Sequence, residues 1–97
     1  MTAVEENNIM TVLMHTAQGD NVEVVNVLIG KGAEVTAADE NGVTALMYAA
    51  KYGRFRVVNV LIGHGVDVKA VDEQGKTPLM CATRSGSVAV VTALICH

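Results

Sequence analysis

The chain has 97 residues, 51% of them hydrophobic, and a formal net charge of −3. This length suits one domain, residues 1–97, and the apolar content excludes a disordered chain. The acidic balance and the lack of a basic run argue against binding nucleic acid through its phosphates. The apolar stretches are also too short to cross a membrane.

A repeat of 33 residues organises the chain. Residues 24–30, which belong to a predicted second helix, recur residue for residue as residues 57–63. A first helix is predicted before them, over about residues 9–17. The turns and first helices of residues 39–53 and 72–86 match at the same offset. Such a period indicates stacked units that share one core. We place unit 1 at about residues 6–38, unit 2 at 39–71 and unit 3 at 72–97.

Each full unit has the signals of two helices. An Asp-x-x-Gly turn precedes Thr44 or Thr77, whose hydroxyl can cap the first helix by accepting a free backbone N–H. Pro78 suits the first helical position, where a missing N–H costs nothing, and Gly53 and Gly86 are expected to end this helix. A second helix with an apolar stripe follows, and a short extended arm then leads to the next turn.

The core is expected to be built from small and aliphatic side chains, because the chain has only three aromatic residues. Met14, Met47 and Met80 recur with the 33-residue period and are predicted to pack in a shared core. Phe55 matches valines in the other units and is also predicted to be buried. Cys81 takes the position of Tyr48 and is predicted to be a partly buried helix residue.

The pattern of unit 2 is carried by Asp39, Gly42, Thr44, Leu46, Ala49, Ala50, Gly53, Val57, Val58, Leu61, Ile62, Gly65, Asp67, Val68 and Ala70. That of unit 3 is carried by Asp72, Gly75, Thr77, Pro78, Leu79, Ala82, Gly86, Val90, Val91, Leu94 and Ile95. Over about residues 9–97 this pattern resembles the ankyrin repeat. The resemblance implies an all-α solenoid of helix-turn-helix units joined by β-turn or hairpin arms. One departure is that methionine stands where the family has histidine after T-P-L.

The sequence contains no arrangement of residues typical of catalysis or cofactor binding. Its three histidines are dispersed, and Cys81, Cys96 and His97 lack a fourth zinc ligand and a C-x-x-C pair. We therefore predict a non-enzymatic protein without cofactor, catalytic residue or metal site. The two cysteines do not form a disulfide framework and no signal peptide opens the chain, so we expect an intracellular location, cytoplasmic or nuclear.

The resemblance implies that a protein partner contacts the hairpin tips and the inner helix face. Tyr52 is the strongest anchor candidate, because binding hot spots favour tyrosine and arginine, although an exposed tyrosine without a role is an equal alternative. The residues predicted to bind the partner at these places are Glu40, Asn41, Val43, Lys51, Tyr52, Glu73, Gln74, Lys76, Arg84 and Ser85.

Three functional hypotheses follow. The first is an adaptor, inhibitor or scaffold module that binds a protein, and the second is a docking or regulatory fragment of a larger ankyrin-containing enzyme or channel. The third is a self-associating structural scaffold. The helix over residues 87–96 is apolar almost all round, whereas a terminal repeat normally has a polar outer face. We therefore expect this end to be covered by further repeats or by a second copy in a homodimer.

Overall fold

The computed structural model describes residues 15–36 and 38–96. Residues 15–18 are helical, and five further helices follow in this part of the chain: α1 (Val22–Gly30), α2 (Ala45–Lys51), α3 (Phe55–Gly63), α4 (Pro78–Ser85) and α5 (Val88–Ile95). Helix α2 packs on α3 within unit 2, and α4 packs on α5 within unit 3. Between units, α2 packs on α4, α1 on α3 and α3 on α5. This helical solenoid confirms the predicted fold class.

The helix boundaries follow from local sequence. The hydroxyl oxygens of Thr44 and Thr77 accept hydrogen bonds from the backbone N–H groups of Met47 (3.3 Å) and Met80 (3.2 Å), which confirms both predicted caps. Pro78 is the first residue of α4. Within the described arms, Ala38 and Thr44 form an isolated antiparallel bridge. A turn at residues 68 and 69 interrupts the extended arm expected there.

In unit 1 the residue equivalent to Gly53 and Gly86 of the other units is Asp20, and not the adjacent Gly19. Asp20 adopts φ +57°, and the matching residues Gly53 and Gly86 both have φ +70°. Aspartate is among the few non-glycine residues that tolerate this left-handed region. Its carboxylate accepts a hydrogen bond from the Val57 N–H at 3.4 Å, and so a unit 1 side chain caps helix α3 of unit 2.

The core is concentrated in unit 2. Among the described residues, eight of the fourteen buried apolar side chains belong to it: Ala45, Leu46, Met47, Ala49, Ala50, Val57, Val58 and Leu61. These residues lie between helices of unit 1 on one side and helices of unit 3 on the other. Unit 2 is therefore the one described unit whose helices are covered from both directions.

Two core predictions were wrong. Met47 is fully buried as predicted, but Met80 is 53% exposed, because unit 3 covers Met47 and no described residue covers the matching surface of unit 3. Phe55 is 42% exposed, since it begins α3 and lies at the margin of the core. Met14 lies outside the described residues.

The outer face of unit 3 is apolar and open. Its exposed side chains include Leu79, Met80, Val88 and Ile95. Leu79 is 38% exposed, whereas the matching Leu46 in unit 2 is 1% exposed. The exposed apolar end thus lies at the place where the sequence predicts it. Among the described residues, no helix is long and apolar enough to span a membrane.

Candidate functional site

A groove of about 380 Å³ lies between units 2 and 3, beside the hairpin tips and the first helices. Helix α2 packs directly on α4 at this point, so the groove runs over a rigid helix-helix contact. We call it the inter-unit groove. Its lining residues are Asn41, Val43, Met47, Tyr48, Lys51, Asp72, Glu73, Gln74, Lys76, Cys81 and Arg84.

The hairpin tips that border the groove are held by two aspartates. One carboxylate oxygen of Asp39 accepts hydrogen bonds from the N–H groups of Asn41 (2.8 Å) and Val43 (2.9 Å). Asp72 binds the N–H groups of Gln74 and Lys76 at the same two distances. The two tips are also joined, because the Glu73 N–H donates to the Asn41 carbonyl at 3.0 Å. The tips therefore present their side chains from a fixed backbone.

Asp39 has a second partner in the wall of the groove. The Tyr48 hydroxyl donates a hydrogen bond to the other Asp39 carboxylate oxygen at 2.9 Å. Burial alone would raise the pKa of Asp39, but the hydrogen bonds from Val43, Tyr48 and Asn41 outweigh it and lower that pKa. The pKa of Tyr48 is raised, and burial is the largest cause. The hydrogen bond to the negatively charged Asp39 is the next. At neutral pH the pair is therefore a carboxylate that accepts from a neutral phenol.

Unit 3 has a cysteine where unit 2 has this tyrosine, and both side chains line the groove. Cys81 cannot reach as far as Tyr48, so the second oxygen of Asp72 has no hydrogen-bond partner among the described residues. The pKa of the Cys81 thiol is raised, mainly by burial and to a smaller extent by the negative charge of Asp72. Cys81 is therefore a neutral thiol in the groove wall and not an activated nucleophile.

Cationic side chains surround the same space. Lys51, Lys76 and Arg84 all line the groove, and Lys51 and Arg84 are exposed. The Lys51 ammonium lies 5.5 Å from the centroid of the Tyr52 ring, a cation–π distance. Tyr52, which is 44% exposed, therefore lies next to the lining residue Lys51, beside the rim of the groove.

The structure brings together seven of the ten predicted partner-binding residues. Those that line the groove are Asn41, Val43, Lys51, Glu73, Gln74, Lys76 and Arg84. Glu40, Tyr52 and Ser85 are not part of its lining. The Ser85 hydroxyl instead donates to the Ala82 carbonyl at 2.8 Å and accepts from the Ser87 N–H at 3.2 Å, which makes it a helix-end residue.

Sequence reasoning missed four lining residues: Met47, Tyr48, Asp72 and Cys81. Met47 and Asp72 belong to the repeated pattern, and repeated positions are naturally assigned to the scaffold. The exchange of Tyr48 for Cys81 was the available signal, because it breaks the repeat at a position beside the predicted surface.

Within residues 15–36 and 38–96, no three His, Cys, Asp or Glu side chains come together as a metal site. Both cysteines in this part of the chain are free thiols, Cys81 buried and Cys96 exposed. What the groove offers is a set of charged and polar groups on a rigid frame, which suits binding.

Comparison with known proteins agrees with the architecture. A family model described as ankyrin repeats matches residues 13–97 in three copies. No curated protein sequence shows significant similarity to the chain.

Proposed function

Because the chain belongs to the ankyrin-repeat family, we propose that it is a non-catalytic module that binds a protein partner through its hairpin tips and concave helix face. Ankyrin repeats are in general protein-protein interaction modules. The observation that supports this use of the surface is the inter-unit groove, because it gathers seven of the ten positions predicted from the sequence. An adaptor, an inhibitor and a scaffold would all use such a surface.

The two free thiols are compatible with a reducing compartment, and the proposal includes an intracellular location, cytoplasmic or nuclear. The same module can serve as a docking or regulatory part of a larger ankyrin-containing enzyme or channel. In that case the module binds its partner through the same surface, and it does so as part of a larger protein.

Tyr52→Ala tests the proposed surface. We expect partner capture to weaken about tenfold or more, because a rigid aromatic side chain at the groove rim is a typical hot spot. The measurement is quantitative affinity capture with the full chain as bait. Phe55→Ala is the matched control, since Phe55 is 42% and Tyr52 44% exposed. Tyr52 contacts the lining residue Lys51, whereas Phe55 begins helix α3. Equal capture by the two variants would contradict the proposal.

Self-association through helix α5 is a second candidate, favoured by the open apolar face of unit 3. Val88 is 78% exposed and Ile95 67% exposed. We expect the chain to form a concentration-dependent dimer in light scattering behind size exclusion, because exposed apolar surface is removed from water on pairing. Ile95→Lys should restore the monomer, and Val27→Lys, at a 58% exposed position in α1, should not. A monomer at every concentration would rule out this candidate.

A further inference from the structure

Three cationic side chains line the inter-unit groove, and none of them forms an ion pair among the described residues. They are Lys51, Lys76 and Arg84, and the Lys51 contact is with a neutral ring. The chain as a whole has a net charge of −3. A protein with a net negative charge does not attract anions over its whole surface. Any attraction of an anion to this groove must therefore come from the local cations.

Two acids, Asp72 and Glu73, also line the groove, so three cations and two acids give its lining a formal charge of +1. Asp39 is enclosed by its own tip and by Tyr48. One oxygen of Asp72 is occupied by backbone N–H groups of its own tip, and its other oxygen accepts from no described group. That free oxygen is an acceptor for a backbone N–H of a bound chain.

The size of the space limits the ligand. A volume of about 380 Å³ is within the range of small-molecule pockets and holds a short stretch of polypeptide.

Building on the proposed function, we propose that the inter-unit groove binds an extended acidic segment of the protein partner, whose carboxylates pair with Lys51, Lys76 and Arg84. The free oxygen of Asp72 accepts a backbone N–H from the segment. The exposed face of Tyr52 packs against the segment at the rim. Charge complementarity selects the partner.

The test uses a fluorescein-labelled oligoglutamate peptide and the full chain, with binding measured by fluorescence anisotropy at low ionic strength. Replacing Lys51, Lys76 and Arg84 together by glutamine should weaken binding about tenfold, the size expected from three exposed ion pairs. The matched control replaces Lys31, Arg56 and Lys69 by glutamine. It removes the same total charge at exposed positions outside the groove, and we expect a change of about twofold or less.

Cys81→Tyr tests the groove without altering the charge of the cations. Tyrosine at this position can bind Asp72 as Tyr48 binds Asp39, and it should fill the space while the helices stay folded. We expect it to weaken peptide binding and to leave the circular dichroism spectrum unchanged. Unchanged affinity in this variant would place the peptide elsewhere and overturn the proposal.

Three other results would also overturn it: no binding of oligoglutamate, equal losses in the two triple variants, or equal binding of an oligoglutamine peptide of the same length. Tighter binding of a labelled DNA duplex than of oligoglutamate would assign the cations to nucleic acid instead. The proposed function is judged separately. If Tyr52→Ala loses partner capture and the groove triple variant retains it, partner binding stands and the acidic segment is excluded.

Discussion

Met47→Ala is expected to lower the free energy of unfolding by about 2–5 kcal/mol, the usual cost of truncating a fully buried methionine. Met80→Ala should cost about 1 kcal/mol or less, because Met80 is 53% exposed. The two residues occupy the same position of successive units, so the comparison separates burial from local sequence. Since a domain is stable by only about 5–15 kcal/mol, the first loss is a large fraction of the total.

Urea denaturation followed by circular dichroism measures both values. Leu46→Ala and Leu79→Ala form a second matched pair, with exposures of 1% and 38% in the wild-type chain. Similar losses at both members of each pair would contradict the description of unit 2 as the buried centre of the solenoid.

Gly42→Ala is expected to cost about 2–4 kcal/mol, from two effects that add. Gly42 has φ +79°, a conformation that costs an alanine about 1–2 kcal/mol. A Cβ at this position would also lie 3.1 Å from the Glu73 nitrogen and 3.2 Å from the Asp72 Cα, which are backbone atoms of the next tip. The two tips would have to separate, which would strain the hydrogen bond between Glu73 and Asn41.

Gly75→Ala is the control for the Gly42 substitution. Gly75 has nearly the same φ, +77°, but a Cβ there has no neighbour within 4 Å. We expect a loss of about 1–2 kcal/mol from backbone strain alone. The difference between the variants, measured by thermal and urea unfolding, gives the contribution of the close approach between tips. If the losses are equal, the tips separate without cost.

Much of the fold could be predicted because its signals are local and repeated. A threonine cap, a helix-ending glycine and an apolar stripe each depend on neighbours within one turn of helix, and the 33-residue period multiplies them. Asp20 shows the limit of this reasoning. The visible glycine of unit 1 is Gly19, yet the residue with positive φ is its neighbour, because the register of the stack, not the presence of glycine, decides the conformation.

The candidate site was predicted less completely, for a related physical reason. Repetition identifies equivalent positions but does not say what covers each one. Met80 and Met47 are equivalent in sequence and differ in environment, because in the part of the chain that the structure describes a neighbouring unit covers Met47 and no residue covers Met80 in the same way. The lining of the groove likewise differs between units, with Cys81 in the position of Tyr48, and a search for repeated features passes over such a difference.

The concentration of the core in unit 2 has a consequence for the order in which the chain folds. In a solenoid each unit contacts only its neighbours, so the residues in contact lie close together along the chain. Folding therefore spreads outward from a nucleus to the adjacent units. The middle unit has two surfaces on which to grow and most of the buried apolar side chains described. Helices α2 and α3 are therefore the expected nucleus, and unit 3, which closes the inter-unit groove, assembles afterwards. The binding surface then forms only after unit 3 has packed on unit 2.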